Sequence, residues 1–301
     1  MHSLTRRSIL AGMAALPALA ADEKSGPARL KVAIFSKHLQ FVQGDALAQA
    51  ATDCGFDAVD ITVRKGGHIA PERVAQDLPP LVATIKKHGL DVPMITTDIA
   101  DTATPFTEDI LKTMAELGIR HYRWNGFKYE TGRPFSNQLD ALRPRVAKLA
   151  ALNGRYGVTA MYHTHSGAGL VGAPIWDLHI LLRDLDPKQV AVNYDVAHAT
   201  IEGGLGGWID SFNITGPYLS GIAVKDFVWE KDAKGEWKPK WTPIGEGMVR
   251  WPQFFKMVAD ARFSGPLQVH FEYPLHGAED SYPAMKRDVR RLRAYLQQAG
   301  L

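Results

Sequence analysis

The chain has 301 residues, of which 46% are hydrophobic and 22% are charged, and its formal net charge is +3. This length and apolar content can bury a substantial core, and about 250 residues is the usual size of one eight-stranded α/β barrel. The near balance of 35 basic and 32 acidic residues argues against nucleic acid as a partner. The single cysteine, Cys54, excludes an intramolecular disulfide and nearly excludes a thiolate metal site.

The first residues are typical of an export signal. Arg6 and Arg7 precede a short apolar run that ends in Ala18-Leu-Ala20-Ala21, which fits a small-residue cleavage site. We interpret residues 1–21 as a twin-arginine signal peptide, because the run is shorter than the roughly 20 residues of a membrane span. Cleavage would leave residues 22–301 as a periplasmic or secreted domain that does not contact the membrane and has a net charge of +1. A membrane anchor is the alternative interpretation.

Strand and helix patterns alternate along the rest of the chain. We predict strands over residues 30–35, 58–62, 92–98, 119–124, 158–163, 190–195, 219–226 and 267–272. We predict helices over residues 44–54, 71–88, 108–117, 138–156, 174–185, 205–214, 251–261 and 279–298. Strict alternation of strand and helix predicts the α/β class, as a single (β/α)₈ TIM barrel with its active site at the carboxyl ends of the strands.

Three predicted strands end in side chains suited to catalysis or metal binding. His163 ends the fifth strand, Asp195 the sixth and Glu272 the eighth, with His165 and His198 a few residues beyond the first two. Because parallel strands of one sheet converge at their carboxyl ends, we expect these groups to face one another. His165 is a candidate for substrate binding.

Other candidate residues follow the strands at the same end of the predicted barrel. His38, Arg64 and His68 come after the first two strands, so we expect them to reach substrate from the opposite side. Lys225 ends the seventh strand and either pairs with Asp226 or stabilises a developing oxyanion.

The connection over residues 227–249 is unusually long and contains Trp229, Trp237 and Trp241. We predict either a mobile aromatic lid, in which Trp229 stacks on a sugar, or a loop packed onto the barrel rim. Glu246 lies in the sequence Gly245-Glu246-Gly247, which is interpreted as a structural turn or as a contact to a sugar hydroxyl.

In this order, the strand-end residues resemble those of the xylose isomerase-like TIM barrels, the sugar phosphate isomerase and epimerase family. The resemblance implies a divalent metal held by a Glu on strand five, an Asp in Asp-x-x-His on strand six, a His in His-x-Lys-Asp on strand seven and a Glu on strand eight. Asp195 in Asp195-Val-Ala-His198 and Glu272 in Phe271-Glu272-Tyr273 match this pattern. His163 stands in place of the first Glu, and Ala223 stands in place of the strand-seven His.

The resemblance therefore implies an altered metal site formed by His163, Asp195 and Glu272. Three protein ligands and a water form an acceptable open catalytic site. An imidazole ligand favours Mn²⁺ or Zn²⁺ over Mg²⁺. A metal-free site is the alternative.

The function implied is an exported sugar isomerase or epimerase that abstracts a proton next to the carbonyl of a free or keto sugar. Glu272 would be the general base or a ligand, His163 would bind metal or exchange protons, and Lys225 and His198 would stabilise the oxyanion. The alternatives are a lyase or hydrolase of oxidised keto glycosides, and a non-catalytic periplasmic sugar-binding protein.

Overall fold

The computed structural model describes residues 29–301. The predicted signal segment, residues 1–21, lies outside the described residues. Within the described part of the chain, no helix is both long enough and apolar enough to cross a membrane.

Ten strands form a barrel and a separate hairpin in the described residues. They are β1 (Val32–Phe35), β2 (Ala58–Val63), β3 (Met94–Thr97), β4 (His121–Trp124), β5 (Thr159–His163), β6 (Val190–Asp195), β7 (Leu219–Val224), β8 (Asp226–Lys231), β9 (Trp237–Thr242) and β10 (Leu267–Val269). All but β8 and β9 close into a parallel barrel in the order β1-β10-β7-β6-β5-β4-β3-β2. The predicted (β/α)₈ barrel is confirmed.

Helices lie between the barrel strands and after the last one. They are α1 (Gly44–Asp53), α2 (Val74–Lys87), α3 (Thr107–Leu117), α4 (Phe135–Tyr156), α5 (Trp176–Leu182), α6 (Val196–Gly203), α7 (Gly207–Thr215), α8 (Trp251–Asp260) and α9 (Gly277–Gln298). Each helix buries an apolar face against the barrel, as Leu78, Val82 and Ile85 do in α2.

Polar side chains fill much of the barrel interior. Ser36 and Thr62 are fully buried and share a hydrogen bond, and Thr96 Oγ1 donates to the buried Asp60 carboxyl group at 2.8 Å. Burial raises the pKa of Asp60 to about 7, against the opposing effect of the Thr96 hydrogen bond. The polar interior thus extends one to three residues below the ends of β2 and β3.

The structure corrects the prediction for the segment after Asp195. The predicted helix over 205–214 is preceded by a further helix, α6, which begins directly at Val196. Asp195 is the residue that makes this helix start, because its Oδ1 accepts from the backbone N–H groups of Ala197 and His198, each at 3.1 Å.

Most of the long connection over 227–249, for which a lid and a rim loop were the two predictions, forms the antiparallel β8–β9 hairpin. Phe227 pairs with Trp241 near the barrel, and Trp229 pairs with Pro239 two residues farther out. The register of the hairpin therefore fixes the position of each Trp side chain relative to the barrel.

The fully buried Asp226 carboxylate anchors the base of this hairpin. Its oxygens accept from the backbone N–H groups of Phe227, Gly245, Gly247 and Val249, at 2.9 to 3.2 Å, and from Trp251 Nε1 at 2.8 Å. A Cβ atom at Gly247 would overlap this carboxylate. The Gly245-Glu246-Gly247 turn is therefore a structural one, wrapped around Asp226.

We expect Asp226→Ala to lower the free energy of unfolding by about 3 kcal/mol, because it leaves several buried N–H donors without an acceptor. Urea unfolding followed by circular dichroism measures this loss. Asp260→Ala is the control, since the exposed pair between Lys256 and Asp260 contributes less than about 1 kcal/mol. Equal losses for the two variants would contradict the anchoring role.

Candidate active site

Asp195 lies at the centre of the groups gathered at the carboxyl end of the barrel. Its side chain is fully buried, and its Oδ2 lies 3.3 Å from Lys225 Nζ and 3.4 Å from His163 Nε2. Burial opposes ionisation, but Lys225 and the neighbouring imidazoles outweigh it, so the pKa of Asp195 lies well below its usual value. Asp195 is therefore a carboxylate at neutral pH.

Lys225 follows β7 and is buried among the other strand ends. Its ammonium donates to His198 Nε2 at 2.8 Å and lies 3.6 Å from Glu272 Oε1. It also lies 4.4 Å from the centre of the Trp241 ring, a cation–π distance. The ammonium is thus surrounded by the Asp195 and Glu272 carboxylates, the His198 imidazole and the face of the Trp241 ring.

His198 and His165 are neutral histidines whose hydrogen bonds set their tautomers. Since His198 Nε2 accepts from Lys225, its Nδ1 donates to Ser166 Oγ at 2.8 Å. Burial lowers the pKa of His198 to about 3 and that of His165 to about 4, with nearby cations acting in the same direction. His165 Nε2 accepts from Arg123 Nη2 at 3.3 Å, and its Nδ1 donates to the His163 carbonyl at 3.2 Å.

His163 ends β5 with its ring beside Asp195. Its Nδ1 accepts from Asn193 Nδ2 at 3.1 Å, which leaves Nε2 facing the Asp195 carboxylate. Burial first, and then Arg123 and His165, hold the pKa of His163 well below its usual value. This imidazole is neutral and has one nitrogen directed into the site.

His270 belongs to the site although the sequence reasoning overlooked it. Its buried ring stacks on His163 with centroids 5.2 Å apart, and on Phe35 at 4.7 Å. Burial lowers its pKa to about 4. The sequence does point to His270, since it lies two residues before Glu272. Residues two apart on an extended segment share a face, so the two side chains enter the same site.

Glu272 was expected to end the last strand, over 267–272. The strand β10 ends earlier, at Val269, so Glu272 lies three residues beyond it. Its side chain is 28% exposed, so it is the more accessible of the two carboxylates near Lys225. Burial raises the pKa of Glu272, but His270 and Lys225 outweigh burial and hold it well below its usual value.

Of the residues predicted on the β1 and β2 side, His38 approaches this cluster and His68 does not. His38 Nε2 accepts from the Phe271 N–H at 3.1 Å, and its ring centroid lies 6.1 Å from that of His270. Both nitrogens of His68 are used by Thr62 and the Val42 carbonyl, which gives it a structural role. Arg64 packs over the Phe35 ring at 5.5 Å, and that ring stacks on His270.

The structure brings Trp241, and not Trp229, to the cluster. The Trp241 ring lies 5.2 Å from His198, because it is at the base of the hairpin. Trp229 is 39% exposed and packs beside Phe227, farther out. Glu246 pairs with Arg291 of α9 at 3.1 Å, away from the cluster.

Several buried polar atoms of the site fit a metal ion. Within residues 29–301, His163 Nε2, Asp195 Oδ2 and both nitrogens of His270 have no hydrogen-bond partner. Two sets of donor atoms each lie within 4.8 Å of one another: His163 with Asp195 and His270, and His163 with His165 and His198. Imidazole and carboxylate donors suit Zn²⁺ or Mn²⁺.

We expect the buried histidines to make folding stability depend on pH. His165, His198 and His270 have folded pKa values of about 3 to 4, below the roughly 6.5 of an unfolded histidine. The unfolded chain therefore binds more protons, so stability is full above about pH 6.5 and falls as the pH drops toward 4. Near pH 5 each of these histidines contributes a slope of about 1.4 kcal/mol per pH unit.

Urea unfolding at a series of pH values measures this slope. His270→Gln should reduce the slope by the contribution of one histidine. Stability that does not change between about pH 7 and pH 5 would contradict the burial of neutral imidazoles.

Comparison with known proteins agrees with this architecture. A family model described as xylose isomerase-like TIM barrel matches residues 48–295. A search of curated protein sequences found no match.

Solved structures share the fold at low sequence identity. D-psicose 3-epimerase from Clostridium cellulolyticum H10 is 13% identical with a TM-score of 0.67, over 89% of this chain and 99% of that one. A putative xylose isomerase from Rhodospirillum rubrum ATCC 11170 is 15% identical with a TM-score of 0.69, over 88% and 99%. A 3-keto-D-glucoside 4-epimerase from E. coli is 15% identical with a TM-score of 0.63, over 88% and 100%.

The matched segment covers most of the chain and includes His163, Asp195, Lys225 and Glu272. The chain belongs to the xylose isomerase-like TIM barrel family.

Proposed function

We propose that this protein is an isomerase or epimerase that removes a proton from the carbon next to the carbonyl of a keto sugar. The observation that carries the proposal is the Lys225 ammonium, held 3.6 Å from the partly exposed Glu272 carboxylate. A carbonyl oxygen bound by this ammonium would place its neighbouring carbon beside a carboxylate base. Proton abstraction needs this pairing of an electrophile and a base.

Glu272 is the proton acceptor in this proposal, since it is ionised at neutral pH and Asp195 is fully buried. Its low pKa reflects stabilisation by Lys225 and His270, after the opposing effect of burial. When a substrate carbonyl takes the Lys225 ammonium, that stabilisation weakens and the carboxylate becomes more basic.

His198 positions the Lys225 ammonium that would bind the developing oxyanion, because its Nε2 accepts from Lys225 while its Nδ1 donates to Ser166. Both nitrogens of His165 are likewise used, by Arg123 and the His163 carbonyl. In this proposal the two imidazoles therefore orient their neighbours and do not carry the substrate proton.

A divalent ion fits the site, with His163 and Asp195 as ligands. When bound, such an ion would polarise the carbonyl oxygen as a Lewis acid.

We propose export of the protein by the twin-arginine route, on the basis of Arg6, Arg7 and the apolar run within residues 1–21. Export favours an unphosphorylated substrate, because sugar phosphates belong to the cytoplasm. A keto sugar or keto glycoside is the substrate class, in keeping with the names of the structurally similar epimerases for D-psicose and 3-keto-D-glucosides.

We expect the protein to exchange a substrate C–H proton with solvent, and Glu272→Gln to lower this rate by at least about 100-fold because it removes the base. Incubation with D-psicose, D-tagatose or a 3-keto-D-glucoside in D₂O, followed by NMR, detects the exchange and the product. The control is Glu246→Gln, in a carboxylate that pairs with Arg291 outside the cluster.

Near-native exchange in Glu272→Gln would remove Glu272 from the proposed role. Exchange followed by loss of the glycosidic group would identify a lyase of keto glycosides. Sugar binding without exchange for any of the three probes would favour a sugar-binding protein.

We expect Trp241→Ala to raise KM for the sugar by about 10-fold or more, because its ring forms the aromatic wall beside Lys225 and His198. Trp229→Ala is the matched control from the same hairpin and should change KM by less than about 3-fold. Steady-state kinetics of both variants measures this difference. A larger effect at Trp229 would show that the outer part of the hairpin contacts the substrate.

A further inference from the structure

We propose that the chain binds one divalent ion through His163, Asp195 and His270, and that Glu272 lies outside the coordination sphere. This set differs from the expected His163, Asp195 and Glu272, and it deepens the proposed function by assigning roles within the same site. Metal binding itself can be measured without any knowledge of the substrate.

The spacing of the donor atoms supports this set. His163 Nε2 and Asp195 Oδ2 lie 3.4 Å apart, and a nitrogen of His270 lies within 4.8 Å of both. Two ligands bonded to a tetrahedral ion at about 2.1 Å are about 3.4 Å from each other. All three side chains are buried, and their inward-facing donor atoms have no hydrogen-bond partner among residues 29–301.

The placement of His270 compensates for the small residue on β7. Ala223 is in register with Asp195 on one side and with Gln268 on the other. His270 is two residues beyond Gln268, on the same face of the chain, so its imidazole enters the space above Ala223 from the neighbouring strand. Its ring is nearly parallel to that of His163, at an angle of 8°.

The alternative set of His163, His165 and His198 is less suited to a cation. It contains no carboxylate, and its outer imidazoles already accept from Arg123 and Lys225. An ion there would face two positive groups without a negative ligand. Charge therefore favours the set that contains Asp195.

Asn193 can prepare His163 for the ion. Its amide now donates to His163 Nδ1, and its own Oδ1 has no partner among the described residues. A rotated amide would accept from Nδ1–H instead, which leaves the Nε2 lone pair free. A hydrogen bond of this kind orients metal-bound histidines in general.

Lys225 need not prevent binding, although it lies 3.3 Å from Asp195 Oδ2. Its ammonium also contacts Glu272, His198 and the Trp241 ring, which can hold it when the ion takes this oxygen. Glu272 then remains beside Lys225 as the proton acceptor. Two imidazoles and one carboxylate select Zn²⁺, Mn²⁺ or Co²⁺ over Mg²⁺.

Equilibrium dialysis of the chelator-treated protein against Co²⁺, with elemental analysis and the visible Co²⁺ spectrum, tests the proposal. We expect about one ion per chain, which millimolar Mg²⁺ does not displace. His163→Gln and His270→Gln should each weaken Co²⁺ binding by about 100-fold or more, since loss of an orienting partner alone costs about 10- to 100-fold. Glu246→Gln and His198→Gln are the matched controls and should keep binding within about 10-fold of the parent. Glu272→Gln removes only a neighbour of His270, at 3.7 Å, and should weaken binding less than His270→Gln does.

Parent-like binding in His270→Gln would overturn the proposal, as would an equal loss in Glu272→Gln and His163→Gln. A parent chain that takes up neither Co²⁺, Zn²⁺ nor Mn²⁺ would also overturn it. These results are independent of turnover, so failure of the metal site and failure of the proposed reaction are distinguishable.

A second measurement needs no substitution and covers the case in which His270→Gln does not fold. Imidazole NMR signals of His163 and His270 in the labelled parent should shift strongly when Co²⁺ is added. Shifts at His165 and His198 that exceed those of His270 would support the alternative set and contradict ours.

Discussion

The Asp195 carboxylate connects the fold of the barrel rim to its chemistry. One oxygen accepts two backbone hydrogen bonds and starts α6, while the other faces Lys225 and His163. A charge buried this deeply is unfavourable unless opposite charge and hydrogen bonds compensate it. Loss of the carboxylate would therefore remove the start of a helix and leave the Lys225 ammonium with less compensation. The start of α6 and the charge balance of the site both depend on this carboxylate. Two separate requirements therefore constrain the residue at position 195.

Neutral imidazoles surround this ion pair because burial and the cations Arg123 and Lys225 lower the pKa values of the histidines. Such imidazoles accept protons or bind metals, whereas protonated ones can do neither. The cations that keep the histidines neutral also balance the charge of Asp195 and Glu272. This arrangement maintains several bases in a small volume without an excess of either charge.

Sequence patterns predicted the barrel and the convergence of His163, Asp195, Lys225 and Glu272, because strand alternation and strand ends are local properties. They did not predict α6, since recognising Asp195 as a helix cap requires knowing that its side chain turns back onto its own backbone. They missed His270 because it lies before the apparent strand end, where a histidine reads as part of the strand. Trp241 could not be chosen over Trp229 without the hairpin register, which sets the distance of each indole from the barrel.

A closed barrel allows a ligand to move from one strand to its neighbour. β7 and β10 are adjacent, so an imidazole on either reaches the same volume above Asp195. Ala223 on β7 has no imidazole, so the imidazole of the proposed site comes from His270, which follows β10. The carboxylate farther along this segment, Glu272, is then free of the ion and sits beside Lys225. In the proposed arrangement, one change of strand would keep an ion site and leave Glu272 as a separate base.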